Sequence, residues 1–529
     1  MDIIWLNPIF LSPNDDNGYD ISDYREIMRE FGTMEDFDRL LKEIHKREMR
    51  LVLDLVVNHT SDEHPWFEEA RKSRHNPYYN YYHWWPAEKG EPPLRLSYFD
   101  EEGNAWTYNK PTDSYYLHYF SRKQPDLNWE NPEVRQEIFD MMRFWFDKGI
   151  DGFRMDSISL IAKDPSFPLI DSKKYPDIFS FYAKEPRLHL YLHEMNRQVL
   201  SKYDCMSVGE GSAVMVDDVA KFVDPAREEL NMLYHFDAAR IRNTTLPDNP
   251  ESGIDYSLIA LKKMFTEWDK AVDKGWPSIY LGNHDQPRMV SRFGSDKDEF
   301  RALSAKMLIT FLLTMRGTPY WFAGDEIGMR NIRFDRIEDY NDIDTINRYK
   351  KAKAEGKDPQ AVLDEQKETG RDNARTPFQW DRSPEAGFTA GTPWLKVNPD
   401  YTWINVADEE KDPTSILNYF KKVVSFRKEN PSLIYGSYHL LDAENPQSYT
   451  FLRKTGADTY LIMLNFSPKA AISTPGIDMS NTHVLLDNYG DRSHMAPQKD
   501  ITLRPFEAIV FQLNHPIYES FIDSLDLLE

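Results

Sequence analysis

The segment GIDGFRMDSI, residues 149–158, decides the fold, because a glycine that ends a helix is followed by a short apolar strand that breaks at an acid. Two later segments repeat the pattern, MSVGEGS at 206–212 and YLGNHDQPR at 280–288. The acids at the three breaks are Asp156, Glu210 and Asp285. A (β/α)8 barrel keeps its catalytic residues at the carboxyl ends of its strands, so the three acids predict such a barrel.

Helix and strand signals alternate on both sides of that segment, as expected for a parallel sheet built from βαβ units. Thr33 and Asp36 form a capping-box pattern at the start of one helix, which leads into a buried strand at residues 51–57. Asn131 as N-cap and Gly149 past the last turn bracket the helix before the deciding segment. Apolar residues at helical spacing follow the first cap, namely Phe37, Leu40, Leu41 and Ile44.

The number of predicted strands falls one short of a closed barrel. Strands are predicted from residue 3, at 51–57, before Asp156, before Glu210, around 233–236, at 281 and around 320–322. These make about seven barrel strands, whereas a closed (β/α)8 barrel requires eight. We therefore expect the first strand and helix of the barrel to be absent from this sequence.

Changes in composition and in the pattern of helix and strand signals along the chain predict three domains. Residues 1–59 and 126–436 are expected to form the barrel, with a helical insertion at about 326–380. Residues 60–125, crowded with Tyr, Trp, His and Pro, are expected to form an inserted domain after the third barrel strand. Its aromatic side chains either stack on sugar rings or pack against one another. Short strands predict a C-terminal antiparallel β-sandwich at 437–529.

Composition excludes several classes of partner. A formal net charge of −23 argues against nucleic acid or an anionic membrane surface as a partner. The single cysteine, Cys205, rules out an internal disulfide framework and a cysteine-rich zinc site. No apolar stretch approaches the length of a membrane span, and no signal peptide is visible. We expect a cytoplasmic protein that is a monomer or a small homo-oligomer.

The residues around the first two acids predict different chemical roles for Asp156 and Glu210. Arg154 and Asp156 are two apart on a strand and so share a face, and a guanidinium beside a carboxylate holds it ionised, as a nucleophile requires. Glu210 lies between Gly209 and Gly211, and an acid in an apolar cleft near other carboxylates can be protonated at neutral pH. Two carboxylates with these roles are the minimum needed to break a glycosidic bond.

Two further groups have polar side chains at strand ends. His284 and Asp285 are able to donate to and accept from sugar hydroxyls. Asp54 lies within the apolar run that ends at His59, and a buried acid needs a partner, for which Arg154 on a neighbouring strand is the candidate. A metal site is not indicated, because no two histidines have ligand spacing.

Seven motifs together carry a family resemblance. DLVVNH (54–59), GFRMDSI (152–158), the strand that ends in Glu210, and NHDQPR (283–288) resemble, in order and spacing, the α-amylase superfamily of glycoside hydrolases. Three more narrow the resemblance to its exo-acting branch of α-glucosidases, oligo-1,6-glucosidases and trehalose-6-phosphate hydrolases. These are DNGYDISDY (16–24), QPDLNW (124–129) and RDNARTPFQW (371–380).

The resemblance implies a role for each of the three acids. Asp156 matches the nucleophile that forms a covalent glucosyl-enzyme, and Glu210 matches the acid that protonates the glycosidic oxygen and then activates water. Asp285 matches the third acid, which stabilises the distorted transition state. The implied substrate is a short oligosaccharide, which loses one glucose at a time with its α configuration retained.

The resemblance also implies a set of substrate-binding residues. Arg154 matches the arginine beside the nucleophile, and Tyr19 matches the aromatic platform beneath the ring. Asp20 and Arg371 match a pair that closes over the non-reducing end of the substrate. His59 and His284 match the histidines that grip ring hydroxyls together with Asp285.

The sequence departs from the family pattern in two places. The family normally has a strand and helix before Ile3, and an aspartate-rich calcium site in the loop that follows that strand. We therefore expect no cofactor or metal in the sequence given. Ser157 follows the nucleophile, where valine accompanies α-1,6 preference and a small residue accompanies α-1,4 preference in similar enzymes. Its size and hydroxyl favour α-1,4 or mixed specificity.

Other functions are compatible with the same carboxylates. A transglucosylase or sucrose isomerase would replace water with an acceptor sugar, and the charged segment NIRFDRIEDYND (331–342) could shape an acceptor site. Trehalose 6-phosphate is an alternative substrate for hydrolysis. A non-catalytic relative is disfavoured, since such proteins have a membrane helix and tend to lose the acids that this sequence keeps.

Overall fold

The structure is a computed structural model of the 529-residue chain. It describes residues 1–99, 103–175, 177–456, 458–477, 479, 482–492 and 499–513. Parts of the predicted inserted domain (100–102) and of the predicted C-terminal domain (mainly 493–498 and 514–529) lie outside the described residues. In the described part of the chain, no helix has both the length and the apolar character needed to cross a membrane.

The strands of the described residues are numbered in chain order. They are β1 Ile3–Leu6, β2 Phe10–Leu11, β3 Asp23–Ile27, β4 Arg50–Val56, β5 Trp84–Pro86, β6 Trp106–Asn109, β7 Ser114–Leu117, β8 Gly152–Asp156, β9 Met206–Glu210, β10 Met232–Tyr234, β11 Ser278–Ile279, β12 Thr318–Pro319, β13 Ser437–Leu441, β14 Ser448–Thr455, β15 Asp458–Asn465, β16 Ala471–Ser473, β17 Thr482–Asp487, β18 Ile501–Leu503 and β19 Ala508–Leu513.

The α-helices are numbered in the same way. They are α1 Met34–Lys46, α2 Pro65–Ala70, α3 Pro132–Lys148, α4 Phe179–Tyr182, α5 Arg187–Gln198, α6 Val219–Val223, α7 Asp237–Thr244, α8 Leu258–Ala271, α9 Met289–Phe293, α10 Arg301–Thr314, α11 Ile343–Ala354, α12 Pro359–Thr369, α13 Val406–Glu409, α14 Ile416–Glu429 and α15 Ser432–Tyr435. Helices α11 and α12 occupy the region where a helical insertion is predicted.

The chain divides into two compact units. The first contains residues 1–236, 271–276 and 346–357, and the second contains residues 237–270, 277–345 and 358–529.

A five-stranded parallel sheet forms the centre of the first unit, with the strand order β1-β4-β8-β9-β10. Sequence order and spatial order coincide, as in successive βαβ units. Strands β4, β8, β9 and β10 are mostly buried on both faces, which explains their apolar runs, whereas the edge strand β1 is half-buried. Because they are parallel, their carboxyl ends lie at one edge of the sheet, and Asp156 and Glu210 are the last residues of β8 and β9.

The helix signals read from the sequence are confirmed. The Thr33 side chain accepts a hydrogen bond from Asp36 N–H and the Asp36 carboxylate accepts one from Thr33 N–H, so both halves of the capping box begin α1. The Asn131 side chain caps α3, which ends at Gly149 with a φ of 106°. One residue of the α1 apolar series, Leu40, is exposed, because it lies beside the stripe of Phe37, Leu41 and Ile44 that packs inward.

The aromatic residues between β4 and α3 mostly pack against one another. Strands β5, β7 and β6 form a three-stranded antiparallel sheet in this segment. The rings of Tyr79 and Trp84 stack with centroids 4.9 Å apart, and Phe67 lies parallel to Trp84 at 5.9 Å. This packing favours the second of the two interpretations of these aromatics, a small core of their own, over sugar stacking.

The second unit contains a parallel pair, β11 and β12, and two antiparallel sheets. The larger sheet has the order β13-β14-β15-β19-β17, and β16 pairs with β18. A buried apolar cluster lies on the larger sheet and includes Leu452, Leu461, Met463, Ile509 and Phe511. Strands β13 to β19 lie in the region where a C-terminal β domain is predicted, whereas β11 and β12 precede it.

Candidate active site

Arg154 is the centre of the candidate site in the first unit. Its side chain is fully buried on β8, on the same face as Asp156. Arg154 Nη1 lies 2.9 Å from Asp156 Oδ1, and Nη2 lies 2.8 Å from Glu210 Oε2. The two candidate catalytic carboxylates, at the ends of the paired strands β8 and β9, therefore contact the same guanidinium.

The predicted pairing of Asp54 with Arg154 is confirmed, with 2.8 Å between Asp54 Oδ1 and Arg154 Nη1. Asp54 also accepts hydrogen bonds from the Tyr19 hydroxyl at 2.9 Å and from Trp5 Nε1 at 3.3 Å. Burial raises the pKa of Asp54 to about 6, against the opposing effects of Arg154 and Tyr19. Arg154 Nε donates to the Tyr234 hydroxyl at 2.9 Å, which fixes the plane of the guanidinium.

The surroundings of Glu210 are more polar than the apolar cleft expected from the sequence. Besides Arg154, the backbone N–H of Ser157 donates to Glu210 Oε2 at 2.8 Å. Ser157 points this N–H at the carboxylate from a left-handed backbone conformation, with φ 41° and ψ 34°. Glycine follows Glu210 because a Cβ at Gly211 would lie 2.5 Å from Leu233 Cδ2 on the next strand.

His59 is buried and both of its ring nitrogens lie near protein groups. Nε2 lies 3.0 Å from the Tyr19 carbonyl oxygen, and Nδ1 lies 3.1 Å from Asn58 Nδ2. Burial lowers the pKa of His59 to about 3, so the ring is neutral at pH 7. A neutral ring satisfies both contacts when Nδ1 accepts from Asn58 and Nε2 donates to Tyr19.

A buried ion pair that the sequence did not reveal supports this histidine. Lys163 Nζ donates to Asn58 Oδ1 at 2.5 Å and lies 3.1 Å from Asp126 Oδ2. Asn58 Nδ2 lies 3.3 Å from Asp126 Oδ1. Lys163 and Asp126 are almost fully buried, and burial raises the pKa of Asp126 to about 6. Lys163 therefore orients the Asn58 amide so that its NH₂ group faces His59.

Asp20 is also fully buried in the first unit. Its Oδ1 accepts from Ser12 Oγ and from the backbone N–H of Asp16, each at 3.0 Å, and Oδ2 accepts from the N–H of Asp15 at 2.9 Å. Burial raises the pKa of Asp20 to about 6, although these hydrogen bonds oppose the shift. The predicted pairing of Asp20 with Arg371 stays a prediction.

The second unit brings the remaining predicted site residues together. His284 Nε2 lies 3.2 Å from Asp285 Oδ2, and Asp285 Oδ1 contacts Arg371 Nη1 at 3.2 Å and Arg375 Nη2 at 2.9 Å. Burial acts to raise the pKa of Asp285, but His284 and the two arginines outweigh it and hold the pKa well below the usual range. Asp285 is therefore a carboxylate at neutral pH.

Asp342 and Arg375 are two members of this cluster that the sequence did not single out. Asp342 is fully buried, and its Oδ1 contacts Arg371 through Nε at 2.6 Å and Nη2 at 2.5 Å. Thr345 N–H and Oγ1 donate to the other oxygen of Asp342. Burial acts to raise the pKa of Asp342, but Arg371 and Arg375 lower it on balance. Both residues lie inside segments already noted in the sequence, Asp342 at the end of 331–342 and Arg375 within 371–380.

No metal ligand set is evident in the part of the chain that the structure describes. Within those residues, no three His, Cys, Asp or Glu side chains are grouped so that they could hold a metal ion. The expectation of no metal stays a prediction, and no described residue is assigned to one.

A parallel sheet whose neighbouring strands end in an aspartate and a glutamate has the arrangement expected of a barrel-type glycosidase. Residues 1–436 match the family described as "Alpha amylase, catalytic domain". The chain is 50% identical over 527 residues to the oligo-1,6-glucosidase of Parageobacillus thermoglucosidasius, covering 98% of this chain and 92% of that protein. It is 47% identical to the Bacillus cereus oligo-1,6-glucosidase, covering 97% and 92% of the two chains.

Among solved structures, the trehalulose synthase of Pseudomonas mesoacidophila MX-45 is similar, with a TM-score of 0.91 and 42% identity over 97% of this chain and 92% of that one. The chain belongs to the α-amylase family of glycoside hydrolases. Its fold is accordingly a (β/α)8 barrel with a C-terminal β domain.

Proposed function

We propose that this protein is a retaining, exo-acting α-glucosidase that releases terminal non-reducing glucose from short α-1,4- or α-1,6-linked oligosaccharides. The observation that carries the proposal is the contact of one buried guanidinium, Arg154, with both Asp156 and Glu210 at adjacent strand ends. The family resemblance implies the double-displacement route, in which one of the two carboxylates is the nucleophile.

In the first step Asp156 attacks the anomeric carbon, and Arg154 keeps its carboxylate charged for that purpose. Glu210 gives a proton to the leaving glycosidic oxygen. In the second step Glu210 takes a proton from water, which attacks the glucosyl ester on Asp156 from the opposite face. The contacts of Glu210 with Arg154 and with Ser157 N–H stabilise its charged form, which is the form that the second step requires.

The cluster in the second unit suits substrate binding. Asp285 is charged and accepts hydrogen bonds from ring hydroxyls, while His284 and Arg371 are donors. Tyr19 and His59 are assigned to the platform and to hydroxyl recognition in the first unit, and Asp20 with Arg371 to the closure over the non-reducing end. That closure would make the enzyme release one glucose at a time.

Two observations bear on the linkage preference of the enzyme. The two relatives described above are both oligo-1,6-glucosidases, which favours activity on α-1,6 bonds. Ser157 favours α-1,4 or mixed specificity. We therefore assign both linkages to the enzyme and let the kinetics order them.

A four-substrate assay tests the proposal. Glucose release is measured from maltose, isomaltose, sucrose and trehalose 6-phosphate, with the wild type, Asp156→Asn and Glu210→Gln. Each substitution is expected to lower turnover by several orders of magnitude while the fold is kept. Asp151→Asn is a matched control, because Asp151 precedes the same strand at its other end and bonds Leu51 N–H and His45. Near-normal turnover in either site variant would remove that residue from the mechanism.

Sucrose isomerisation is a second candidate, favoured by the similarity to a trehalulose synthase. The catalytic carboxylates would be the same, and the released fructose would attack the glucosyl-enzyme in place of water. Product analysis from sucrose separates the two functions, because hydrolysis yields free glucose and fructose whereas isomerisation yields a new disaccharide. Hydrolysis of trehalose 6-phosphate is read from the same assay.

We assign residues 60–125 to a domain inserted after the third barrel strand and 437–529 to an antiparallel β-sandwich. The single cysteine favours a cytoplasmic setting.

A further inference from the structure

Two loops of the second unit lie side by side, because they follow the paired parallel strands β11 and β12. The loop after β11, residues 282–289, carries the candidate binding residues His284 and Asp285. The segment after β12, residues 323–331, contains two consecutive buried or half-buried acids, Asp325 and Glu326. The mechanism proposed above uses no residue of this second segment.

Asp325 contacts the 282–289 loop at both of its ends. At the first end, a Cβ on Gly282 would lie 2.9 Å from Asp325 Oδ2, so the carboxylate lies directly against the glycine backbone. At the other end, the backbone N–H of Met289 donates to the carboxylate, and Arg288 Nη1 lies 3.6 Å from Oδ1. One buried side chain therefore connects the two ends of the loop that carries the candidate third acid.

Arg288 is fixed against the same segment. Its Nη1 donates to the carbonyl oxygen of Ala323 at 2.7 Å, and its backbone N–H donates to Asn331 Oδ1 at 2.9 Å. The guanidinium also lies over the ring of Phe322, 5.1 Å from the centroid. Among the described residues, Asp325 is the one carboxylate within ion-pair distance of Arg288. This buried arginine therefore depends on Asp325 for its counter-charge.

The charge on Asp325 changes near neutral pH. Burial raises the pKa of Asp325 to about 7, although the positive charge of Arg288 opposes the shift, and repulsion from Glu326 in the same segment adds to it. Burial lowers the pKa of Arg288, but Asp325, Glu326 and Asp400 oppose that shift, and a guanidinium stays charged at neutral pH. The ion pair is consequently present at pH 8.5 and absent at pH 5.5.

Building on the proposed function, we propose that Asp325 is a positioning residue that, in its charged form, holds the 282–289 loop so that His284 and Asp285 meet the sugar. A charged carboxylate attracts Arg288 and accepts from the N–H of Met289 more strongly than a neutral acid does. Neutral Asp325 leaves Arg288 without a counter-charge and holds the loop less firmly. The efficiency of the enzyme on its sugar substrates therefore rises as the pH rises through neutrality.

A pH profile tests the proposal. We would measure kcat/KM for isomaltose and maltose between pH 5.5 and 8.5, with the wild type and Asp325→Asn, which keeps the shape of the side chain. The variant should lose about 5- to 10-fold at pH 8.5 and stay within about 2-fold at pH 5.5. The ratio of the two proteins should follow one ionisation with a midpoint at about 7. A ratio that is constant across this range overturns the proposal.

Other ionisations do not obscure this result. The carboxyls of Asp20 and Asp54, each with a pKa of about 6, are present in both proteins, so their effects cancel in the ratio.

Gly282→Ala tests the same contact from the side of the loop. The added Cβ would push the carboxylate of Asp325 away while leaving its charge in place. At pH 8.5 this variant should lose about as much as Asp325→Asn, and the double variant should lose no more than either, because both substitutions break one contact. Losses that add in the double variant, or wild-type kinetics in Gly282→Ala, overturn the proposal.

Glu326→Gln is the matched control. Glu326 is the neighbouring acid, but its Oε2 accepts from the N–H of Gly324 at 2.9 Å and from Trp321 Nε1 at 3.3 Å, both within its own segment. Its kcat/KM at pH 8.5 should equal that of the wild type. The midpoint of its profile should move to lower pH, because the repulsion that helps to raise the pKa of Asp325 is lost. A fall at pH 8.5 equal to that of Asp325→Asn overturns the specific role of Asp325.

Hydrogen exchange separates this proposal from the proposed function, because it needs no substrate. Exchange of the peptide that contains residues 282–289 is followed by mass spectrometry at pH 8.5 and pH 5.5, and each rate is divided by that of the unfolded peptide at the same pH. Asp325→Asn should exchange about 5-fold faster than the wild type at pH 8.5 and at the same rate at pH 5.5.

The two measurements together assign any failure. If the wild type cleaves none of the sugars but loop exchange depends on Asp325 in this way, the positioning role stands and the hydrolase assignment falls. Cleavage of the sugars with loop exchange that is the same in both proteins gives the reverse outcome.

Discussion

Arg154→Met would remove the cation shared by three buried carboxylates, Asp54, Asp156 and Glu210. Removing one partner from a buried ion pair costs about 3–5 kcal/mol. A carboxylate that has lost its cation can bind a proton. The free energy of that protonation is the largest destabilisation that the unpaired carboxylate can cause. For an aspartate with an ordinary pKa of 3.8, this largest destabilisation is about 4 kcal/mol at pH 7 but only about 2 kcal/mol at pH 5.

The sign of the pH dependence follows from the same reasoning. In the folded variant the buried carboxyls bind protons more readily than in the unfolded chain, so their destabilising effect is fully present at high pH and is relieved as the pH falls. Asp54 already has a pKa of about 6, so most of the added cost falls on Asp156 and Glu210. We expect a loss of about 3–5 kcal/mol at pH 7 that shrinks by about 2 kcal/mol at pH 5.

Urea unfolding followed by tryptophan fluorescence measures the effect, with Arg427→Met as the matched control. Arg427 is also buried, but Nη1 donates to the carbonyl oxygens of Leu313, Met315 and Leu433, which do not titrate. Its loss should cost the same at both pH values. An Arg154→Met penalty that is equally independent of pH would refute the shared role of Arg154 in compensating the carboxylates.

Three further predictions concern single contacts. Asp342→Asn removes the negative charge that pairs with Arg371. It should lower kcat/KM by about 10-fold or more, which is the order expected for the loss of one charge-assisted hydrogen bond. Unchanged kinetics would contradict this prediction. Ser157→Val should shift the activity ratio toward isomaltose over maltose, whereas Ser157→Ala should not; an unchanged ratio removes Ser157 as a determinant. Lys163→Met leaves Asp126 unpaired and should cost about 3 kcal/mol at pH 8 and less at pH 5; equal costs would argue against the pair.

The sequence placed the candidate carboxylates well because their signal is local. A short apolar run that breaks at glycine and an acid marks a strand end, and β8 and β9 end at Asp156 and Glu210. The pairing of Asp54 with Arg154 followed from a general requirement, since a buried acid needs a cation and few are available nearby. Both inferences needed only residues close in sequence or on neighbouring strands.

The partners that the sequence missed are contacts between distant segments. Arg154 reaches Glu210 on the next strand, so the proposed proton donor has a polar neighbour where an apolar cleft was expected. Asp342 meets Arg371 across 29 residues through a geometry set by the intervening chain. Residue spacing does not specify such contacts, although the charged motifs that contain them were visible.

Aromatic content was ambiguous for a related reason. Composition does not distinguish a ring that packs in a core from one that faces a ligand, because both need the same residue types. The crowded stretch with Tyr79 and Trp84 mostly packs on itself. The exposed ring of Trp394 lies outside that stretch.

Direct detection of the covalent intermediate tests the central claim most sharply. Glu210→Gln is mixed with an α-glucosyl fluoride, whose leaving group needs no proton from Glu210, and the protein is digested and analysed by mass spectrometry. We predict one added glucosyl residue on the peptide that contains Asp156, and no such adduct in the double variant with Asp156→Asn. A glucosyl group on another residue, or turnover that inverts the anomer without any adduct, would contradict the assignment of Asp156 as the nucleophile.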